Sequence, residues 1–437
     1  MINRRTMVKG AGATFGVAIT AQSYARIRGA NERLNVAIVG VNGRGQAHLS
    51  AFSKLPGVQV THFVDVDSAI LAKRAGEAAV KGLPPVETER DYRRLFDKRQ
   101  VDVVTVATPD FSHARIAIDA MHSGHHVYCE KPIGIAPAEG EAMIAAQRRT
   151  GRKLQVGNQQ RSSAETRQLA GLIQAGEIGD VYEAQTWYAN NRPSIGRGHE
   201  AAPPATLDWD LWQGPRPRGP YRTNLVPYNW HWHWRYGTGE ICNNAMHELD
   251  VARWMMGLSY PTSVQARGAR NFYKGDDWEM YDTLAVDLNY ADGRTIRWNG
   301  QSCNRMLTHG RDRGVLLLGT RGSAVVDRNG FELFGLDGKR TREVKAAAQS
   351  ATTNTVGEGA LDVYHAGNLV DVIRGTAAAL NSPIAEGHVS TTLCHLGNMA
   401  YRTNSVLRID PATGRPSSAE AMELWSVAYQ PGWEITA

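Results

Sequence analysis

The chain has few cysteines, no long hydrophobic run and no acidic residue among its first 30 positions. Its four cysteines (Cys129, Cys242, Cys303 and Cys394) are widely spaced, which fits neither a disulfide framework nor a paired-cysteine zinc site. No apolar run reaches the about 18 residues that a membrane-spanning helix needs. With 42% hydrophobic and 21% charged residues over 437 positions, the composition excludes a largely disordered protein.

The N-terminal segment is basic and then apolar. Arg4, Arg5 and Lys9 precede a short apolar stretch, and Ser23-Tyr24-Ala25 resembles a small-x-small cleavage site. This order is typical of an export signal, and the paired arginines resemble a twin-arginine (Tat) signal, which exports folded proteins. The alternative is a disordered basic tail. We predict a signal and linker over residues 1–30, a periplasmic or otherwise exported bacterial protein, and no stable membrane insertion after signal cleavage.

The formal net charge of +6 does not indicate nucleic-acid binding. Arg4, Arg5 and Lys9 contribute half of it and would leave with a cleaved signal. Because the remaining chain is only mildly basic, we expect no nucleic-acid partner.

Two kinds of pattern divide the rest of the chain. Residues 31–156 alternate short β-branched strands with helical segments, which predicts a doubly wound parallel sheet. Residues 157–437 begin with a helix, continue through a Pro-, Trp- and His-rich loop at 190–239, and then show strands separated by turns, typical of a mostly antiparallel sheet. Residues 345–358 are weakly patterned and predicted to be an exposed loop. The sequence therefore predicts an α/β protein with two domains and a boundary near Val156.

The first predicted strand ends in a glycine-rich turn that leads into a helix. A dinucleotide site needs such a turn, because backbone must approach the pyrophosphate closely and helix N–H groups must point at it. Asn42 stands where a second glycine is usual, and asparagine tolerates left-handed backbone better than most residues. We predict dinucleotide binding, rather than a merely structural turn, by Gly40, Asn42, Gly43, Arg44 and Gly45.

Asp65 ends the second predicted strand, 25 residues after Gly40. A carboxylate there can accept hydrogen bonds from the adenosine ribose and would repel a 2′-phosphate. No arginine follows it directly. These features favour NAD over NADP as the cofactor, the alternative being that Asp65 only caps the strand end.

Lys131 follows the end of another predicted strand, at the edge where ligands bind in doubly wound folds. Oxidation of an alcohol requires a group that takes the hydroxyl proton, and a lysine can do so when burial and a cationic nicotinamide lower its pKa. For an isolated lysine, a solvated surface charge would be the better interpretation.

Several short motifs, in this order, make the chain similar to the Gfo/Idh/MocA oxidoreductases. They are the turn at 40–45, Ala107-Thr108-Pro109 with His113, Glu130-Lys131-Pro132, and residues 239–250. The resemblance implies an N-terminal Rossmann domain and a C-terminal α/β domain for substrate binding and oligomerisation, with a large, mostly antiparallel open sheet. It also implies a homo-oligomer (dimer or tetramer) and a small sugar, cyclitol or related polyol as substrate. The cofactor contacts that it adds are Thr108, Pro109, His113, Glu130 and Lys131.

By the same resemblance, Lys131 and His247 handle the substrate proton. The family often carries D-x-G-x-H before this helix, whereas Asn243 and Ala245 occupy the Asp and Gly positions here. Asparagine can orient a hydroxyl but cannot accept a proton at neutral pH, which puts more weight on His247. A helix-capping or core role is the alternative for this histidine.

Five of the eleven tryptophans lie within 209–234, and three of them alternate with His231, His233 and Arg235. In an extended segment, one side would be aromatic and the other basic. The tryptophans either stack on substrate or pack a long loop onto the domain. Asn158, Gln159 and Arg161, just after the domain junction, are further candidates to face the cleft. We predict no metal site, and as substrate contacts we predict Arg161, Tyr188, Trp230, His231, Arg235 and Asn243.

Two enzymatic functions fit these features. The first is an exported NAD-dependent oxidoreductase acting on a sugar, cyclitol or polyol, with NAD bound tightly because free NAD is scarce outside the cytoplasm. The second is an NAD-dependent glycoside hydrolase that works through a transient 3-keto sugar, elimination and re-reduction. Lys131 and His247 serve both schemes. A non-catalytic sensor of NAD and sugar is a third hypothesis, against which the presence of these two residues argues.

Overall fold

The computed structural model describes residues 33–97, 100–346 and 359–435. The predicted signal and most of the weakly patterned segment at 345–358 lie outside these ranges. Among the described residues, no helix combines the length and the apolar character needed to cross a bilayer. The helices are Arg44–Ser53 (α1), Ser68–Val80 (α2), Tyr92–Phe96 (α3), Asp110–His122 (α4), Pro137–Thr150 (α5), Ala164–Gln174 (α6), Trp209–Gln213 (α7), Met246–Met256 (α8), Ala360–Arg374 (α9), Ile384–Arg402 (α10) and Ala419–Glu423 (α11).

The first sheet is parallel throughout. Its strands are Leu34–Val39 (β1), Val58–Val64 (β2), Glu87–Glu89 (β3), Val103–Val106 (β4), His126–Cys129 (β5) and Leu154–Val156 (β6), in the order β3-β2-β1-β4-β5-β6. Strand β4 is buried along its whole length, as expected for a parallel strand covered on both faces. The predicted doubly wound parallel sheet is confirmed, and the short edge strand β3 was missed.

The second sheet is mostly antiparallel. Its strands are Val181–Ala189 (β7), Ser263–Ala269 (β8), Thr283–Asn289 (β9), Thr295–Gln301 (β10), Arg313–Gly319 (β11), Ser323–Asp327 (β12), Gly330–Phe334 (β13), Arg340–Lys345 (β14) and Leu407–Arg408 (β15). They run in the order β14-β13-β12-β11-β7-β10-β9-β8-β15, and β7 and β10 are parallel to each other. Ile296, Trp298 and Gly300 of β10 are buried while Arg297 and Asn299 between them are exposed, so this strand has one covered face. The predicted large, mostly antiparallel sheet is confirmed.

The long loop predicted at 190–239 folds back onto the start of helix α4. It contains the short helix α7 and a 3₁₀ turn at Asn229–Trp232. Phe111 of α4 meets the rings of Trp212, Trp230 and Tyr236 at centroid distances of 5.3–6.3 Å. The loop therefore covers the edge of the first sheet at which β4 and β5 end.

The expected alternation of aromatic and basic faces around Trp230 is wrong. An extended strand would place successive side chains on opposite sides, but residues 229–232 form a 3₁₀ turn. His231 instead stacks on Trp230 at a centroid distance of 3.6 Å. A π-helical turn, Ile241–Ala245, also precedes helix α8 and sets the direction of Asn243 and His247.

Candidate active site

A cavity of about 730 Å³ lies where the strands of the first sheet end. Its wall combines these strand ends, the loop that covers them, and parts of the C-terminal half of the chain. This is the place at which open parallel sheets bind ligands. Among the predicted cofactor contacts, the ones that line it are Gly40, Asn42, Gly43, Arg44, Asp65, Thr108, Pro109, His113, Glu130 and Lys131.

The glycines of the turn after β1 differ in whether a side chain would fit at their position. Gly40 has a φ of +84°, and a Cβ there would stand 2.6 Å from the carbonyl oxygen of Ala107. A Cβ on Gly45 would come within 2.0 Å of the oxygen of Gly40, so both positions need glycine for close packing of the turn. Gly45 packs against Gly40 and does not line the cavity, unlike the other predicted residues of this turn. A Cβ on Gly43 would meet nothing within 4 Å, so the turn is open at that point.

The first turn of α1 is uncapped. Gly43 at its N-cap has no side chain to accept an N–H, and the first helical turn holds no acidic residue. In contrast, Asp67 caps α2 and Ser163 caps α6 with their side chains. Free N–H groups and the positive end of the helix dipole therefore face the open space beside Gly43, which suits the diphosphate of a dinucleotide.

Asp65 fixes the glycine turn from the end of β2. Its carboxylate accepts the N–H of Val41 at 3.0 Å and the N–H of Asp67 at 3.2 Å. Burial raises the pKa of Asp65 to about 6. Arg74 holds the neighbouring Asn42 through its carbonyl and side-chain oxygens, both at 2.9 Å. The two contacts place Asp65 and Asn42 side by side along the cofactor side of the cavity.

His113 ties together two loops that carry predicted cofactor residues. One ring nitrogen lies 2.6 Å from the carbonyl oxygen of Pro132 and the other 2.8 Å from that of Thr108. Burial lowers the pKa of His113. The hydroxyl of Thr108 is buried without a hydrogen-bond partner among the described residues. A buried hydroxyl of this kind is a polar group that a ligand can satisfy.

Glu130 is an ionised carboxylate held by several donors. Arg44 donates from Nε at 2.8 Å and Gln159 from Nε2 at 2.9 Å, while His48 Nε2 lies at 3.1 Å. Burial opposes the charge, but Arg44, His48 and Lys131 outweigh it and hold the pKa of Glu130 well below its usual value. Arg44 also pairs with Asp362, so helix α9 is fastened to the cofactor side of the cavity.

Lys131 bridges the two parts of the cavity wall. Its Nζ donates to the backbone carbonyl of Asn243 at 2.5 Å. Burial lowers the pKa of Lys131; Glu130 and Asp110 oppose this effect and Arg44 adds to it. A buried lysine with a lowered pKa is suited to accept a proton.

His247 lies in the cavity wall as a neutral imidazole. It is 3% exposed, and its ring makes no hydrogen bond with the described residues. Burial lowers the pKa of His247 far below its usual value, and the nearby Arg328 and Lys131 lower it further. The helix-capping alternative is excluded, since His247 is the second residue of α8 and makes no capping contact.

The charged groups in the wall that sequence reasoning missed include Asp110 and Arg328. Asp110 begins helix α4, is 4% exposed, and accepts a hydrogen bond from the hydroxyl of Thr238 at 2.8 Å. Burial raises the pKa of Asp110 to about 7. Its place after Thr108-Pro109, between a strand and a helix, was the available signal. Arg328 lies in the turn between β12 and β13, and β13 was not predicted.

Three of the predicted substrate contacts line the cavity and three do not. Trp230, His231 and Asn243 are in the wall, as are Gln159 and Gln160 from the domain junction. The other three point elsewhere, for reasons of pairing and packing. They are Arg161, in a buried ion pair with Asp250 (2.7 Å); Tyr188, whose hydroxyl accepts from Asn190 (2.7 Å); and Arg235, beside Gly219 and Tyr236.

Most tryptophans of the long loop pack against other aromatic rings. Trp209 stacks on Trp212 at 4.7 Å, and Trp232 stacks on Trp278 at 4.3 Å. Trp212 and Trp230 are buried and also line the cavity. Packing therefore explains Trp209 and Trp232, while Trp230 both packs against His231 and Phe111 and lines the cavity.

Within residues 33–97, 100–346 and 359–435, no group of His, Cys, Asp or Glu side chains is arranged to hold a metal ion. His231 Nδ1 lies 2.7 Å from the carbonyl oxygen of Tyr228, and His233 Nδ1 lies 3.0 Å from Glu279. Each of the two histidines thus has one ring nitrogen engaged by a separate partner. All four cysteines are buried free thiols.

The polar groups in the cavity wall match the parts of a nicotinamide dinucleotide. The uncapped helix end at Gly43 suits the diphosphate, Asp65 suits the adenosine ribose, and the unpartnered Thr108 hydroxyl offers a further contact. Lys131 then stands at the opposite end, next to His247 and Asn243.

Family models match both parts of the chain. Residues 34–158 match the oxidoreductase family model with an NAD-binding Rossmann fold, and residues 166–325 match the Gfo/Idh/MocA C-terminal domain. Together these ranges cover more than half of the chain.

Curated relatives show two activities. The chain is 23% identical to an inositol 2-dehydrogenase of Rubrobacter xylanophilus over 83% of this chain and 87% of that protein. It is 24% identical to a glycosyl hydrolase family 109 protein of Shewanella pealeana over 61% of this chain and 57% of that protein. The chain thus spans little more than half the length of this glycosidase relative.

Solved structures share the fold. Levoglucosan dehydrogenase, in complex with NADH and L-sorbose, superposes with a TM-score of 0.67 at 20% identity, over 87% of this chain and 99% of that chain. Aldose-aldose oxidoreductase from Caulobacter crescentus, complexed with glycerol, gives a TM-score of 0.65 at 19% identity, over 86% and 100%. With the two family models, the sheet order and the cavity at its carboxyl edge, the chain belongs to the Gfo/Idh/MocA oxidoreductase family and carries its NAD-binding Rossmann fold.

Proposed function

We propose that this protein is an NAD-dependent oxidoreductase that acts on a hydroxyl-bearing carbon of a sugar, cyclitol or polyol. The observation that carries the proposal is the position of Lys131. Its Nζ lies in the cavity wall between the predicted cofactor contacts and the C-terminal half, held by the carbonyl oxygen of Asn243. A substrate between these two walls would present its hydroxyl to Lys131.

When bound, NAD supplies the hydride acceptor for the substrate carbon. Neutral Lys131 takes the hydroxyl proton as the carbon loses its hydrogen together with the bonding electrons, and the alcohol becomes a carbonyl. Burial favours the neutral amine that this step requires. In the reverse direction the Lys131 ammonium returns the proton to the carbonyl oxygen.

His247 orients the same hydroxyl in this proposal. The cations around it, Arg328 and Lys131, disfavour a second positive charge on its ring. A neutral imidazole can still donate and accept hydrogen bonds, so it positions the substrate while Lys131 carries the proton. The side chain of Asn243, which donates to the Tyr228 hydroxyl at 3.3 Å, borders the same space.

A second candidate is an NAD-dependent glycoside hydrolase, favoured by the similarity to the glycosyl hydrolase family 109 protein. In that scheme a transient 3-keto sugar acidifies the proton at the neighbouring carbon. Elimination of the aglycone, addition of water and reduction of the ketone then follow, with no net consumption of cofactor. Lys131 and His247 would serve the oxidation and the reduction alike.

The same proposal places the protein outside the cytoplasm, as a homo-oligomer with tightly held NAD. Arg4 and Arg5 near the N-terminus support the export route. An exported enzyme that keeps its cofactor must return it to the starting state on a second substrate or within one turnover. Fractionation of cells expressing the full chain, with Arg4→Lys/Arg5→Lys as the matched variant, tests export.

One experiment separates the two enzymatic candidates. The full chain is purified without added NAD, the absorbance of any bound nicotinamide is recorded, and free sugars and aryl glycosides are added in turn. Reduction of the bound nicotinamide by a free sugar supports the dehydrogenase. Release of aglycone with an unchanged cofactor supports the glycosidase. Absence of both reactions and of measurable NAD affinity would contradict both.

A further inference from the structure

Most arginines buried in the C-terminal half of the chain are paired with carboxylates, while Arg216 donates to the backbone carbonyl oxygens of Arg235 and Ala428. Arg313 donates to both oxygens of Glu248 at 2.7 and 3.0 Å, and Arg161 donates to both oxygens of Asp250 at 2.7 and 2.9 Å. Such bidentate pairs stabilise a guanidinium that is removed from water.

Arg192 follows the same rule. Its guanidinium donates to both oxygens of Glu240, at 2.6 and 3.0 Å. These guanidinium groups therefore have acceptors within the chain, and a departure from this pattern calls for a partner from outside it.

Arg328 is that departure. Its guanidinium has neither an ion pair nor a hydrogen bond with any residue in the described part of the chain, although the residue is only partly exposed to solvent. The nearest carboxylates are already used, since Glu248 pairs with Arg313 and Asp362 with Arg44. An uncompensated guanidinium in such a place is unfavourable unless a ligand supplies the charge.

The position of Arg328 is fixed by its turn. Asp327 and Gly330 close the hairpin between β12 and β13, which leaves Arg328 and Asn329 as the two turn residues. Gln160, beside the first sheet, donates to the carbonyl oxygen of Asp327 at 3.1 Å. The turn is thus fastened across the junction, and Arg328 faces the cavity in which Lys131 and His247 lie.

The charge of Arg328 persists at neutral pH. Burial, with a contribution from Arg313, lowers its pKa to about 9. His247 beside it is neutral, and Nζ of Lys131 has its hydrogen-bond partner in the backbone carbonyl of Asn243. The substrate end of the cavity therefore offers one unmatched positive charge.

Resting on the proposed function, we infer that the substrate is an anionic carbohydrate, whose carboxylate or phosphate group pairs with Arg328 while a hydroxyl faces Lys131 and His247. The planar fork of a guanidinium matches either group through two parallel hydrogen bonds. The diphosphate of the cofactor is a different anion at the opposite end of the wall, beside Gly43.

The test is a binding measurement on the NAD-loaded full chain, so it does not depend on turnover. Dissociation constants are measured by calorimetry for matched pairs: glucuronate against glucose, galacturonate against galactose, and glucose 6-phosphate against glucose. We expect at least one anionic member to bind about 10- to 100-fold more tightly than its neutral partner. The sugar pair that shows the preference distinguishes binding of a carboxylate from binding of a phosphate.

Two variants assign the preference to Arg328. Arg328→Gln should remove it and leave NAD affinity unchanged, whereas Arg267→Gln, the same change at an exposed position of β8, should retain it. Equal binding of every anionic sugar and its neutral partner, or a preference that survives in Arg328→Gln, would overturn the inference. Turnover of neutral sugars with no preference for anionic ones would contradict the inference and support the proposed function. Selective binding of anionic sugars without hydride transfer or glycoside cleavage would contradict the proposed function and support the inference.

Discussion

Lys131 Nζ donates a hydrogen bond to the backbone carbonyl of Asn243, so the end of β5 touches the π-helical turn that precedes α8. This contact joins the cofactor side of the cavity to the side that carries His247. Because the acceptor is a main-chain oxygen, the contact does not require the aspartate that relatives often carry at position 243. The departure from the family motif is thereby compatible with a correctly placed lysine.

The two glycines at the start of α1 give the first prediction. Gly43→Ala should leave stability unchanged and weaken NAD binding, because its methyl group would enter the open space at the helix end. Gly45→Ala should lower the free energy of unfolding by about 1–3 kcal/mol or more, since its methyl group would collide with the Gly40 carbonyl oxygen. Denaturant unfolding and fluorescence titration with NADH measure both effects. Equal loss of stability in the two variants would contradict this assignment.

Cofactor choice gives the second prediction, at Asp65. Asp65→Asn can still accept the N–H of Val41, so the turn should stay folded. Loss of the charge should weaken NADH binding by about 10-fold and relieve the repulsion of a 2′-phosphate. The ratio of NADH to NADPH dissociation constants, measured on one sample, is the readout. An unchanged ratio would mean that Asp65 serves only to cap the strand end.

The pH dependence of the reaction gives the third prediction. The acid limb of kcat/KM should follow deprotonation of Lys131, whose ammonium the negative charge of Asp110 stabilises. Asp110→Asn removes that charge and should move the limb to lower pH, by on the order of one unit. Asp180→Asn, an exposed matched change, should leave the profile in place. A limb that moves to higher pH in Asp110→Asn would show that the sign of the interaction is wrong.

Arg161 gives the fourth prediction, as a structural residue. Arg161→Met leaves Asp250 as a buried charge without its main partner and should cost about 3–5 kcal/mol of unfolding free energy. Arg267→Met, on the exposed face of β8, should change stability by less than about 0.5 kcal/mol. Thermal or denaturant unfolding compares the two. A large rise in KM with unaltered stability would return Arg161 to the substrate site.

The sequence predicted the site best where a functional residue directly follows a strand of the parallel sheet. The turn after β1, Asp65 after β2 and Lys131 after β5 all follow buried strands, and parallel strands end at one edge. Position along the chain was therefore enough to bring them to one cavity.

Side-chain direction in the C-terminal half could not be predicted in this way. The side chain of Arg161 is held by Asp250, far along the chain, and Arg313 of β11 lies over the ring of Tyr188. Arg328 was missed because its location depends on a hairpin whose second strand has weak alternation. Such positions are decided by pairing between distant segments, which local pattern does not contain.

The central claim is that Lys131 accepts the substrate proton during hydride transfer to NAD. The most direct measurement is the single-turnover rate of nicotinamide reduction in NAD-loaded wild type, Lys131→Met and Lys131→Arg. Arginine keeps the positive charge and a donor for Asn243 but cannot be deprotonated, so it separates proton transfer from charge. We predict that both variants, when saturated with NAD, reduce it about 10²- to 10⁴-fold more slowly than wild type. Reduction at the wild-type rate in either variant would contradict this role for Lys131.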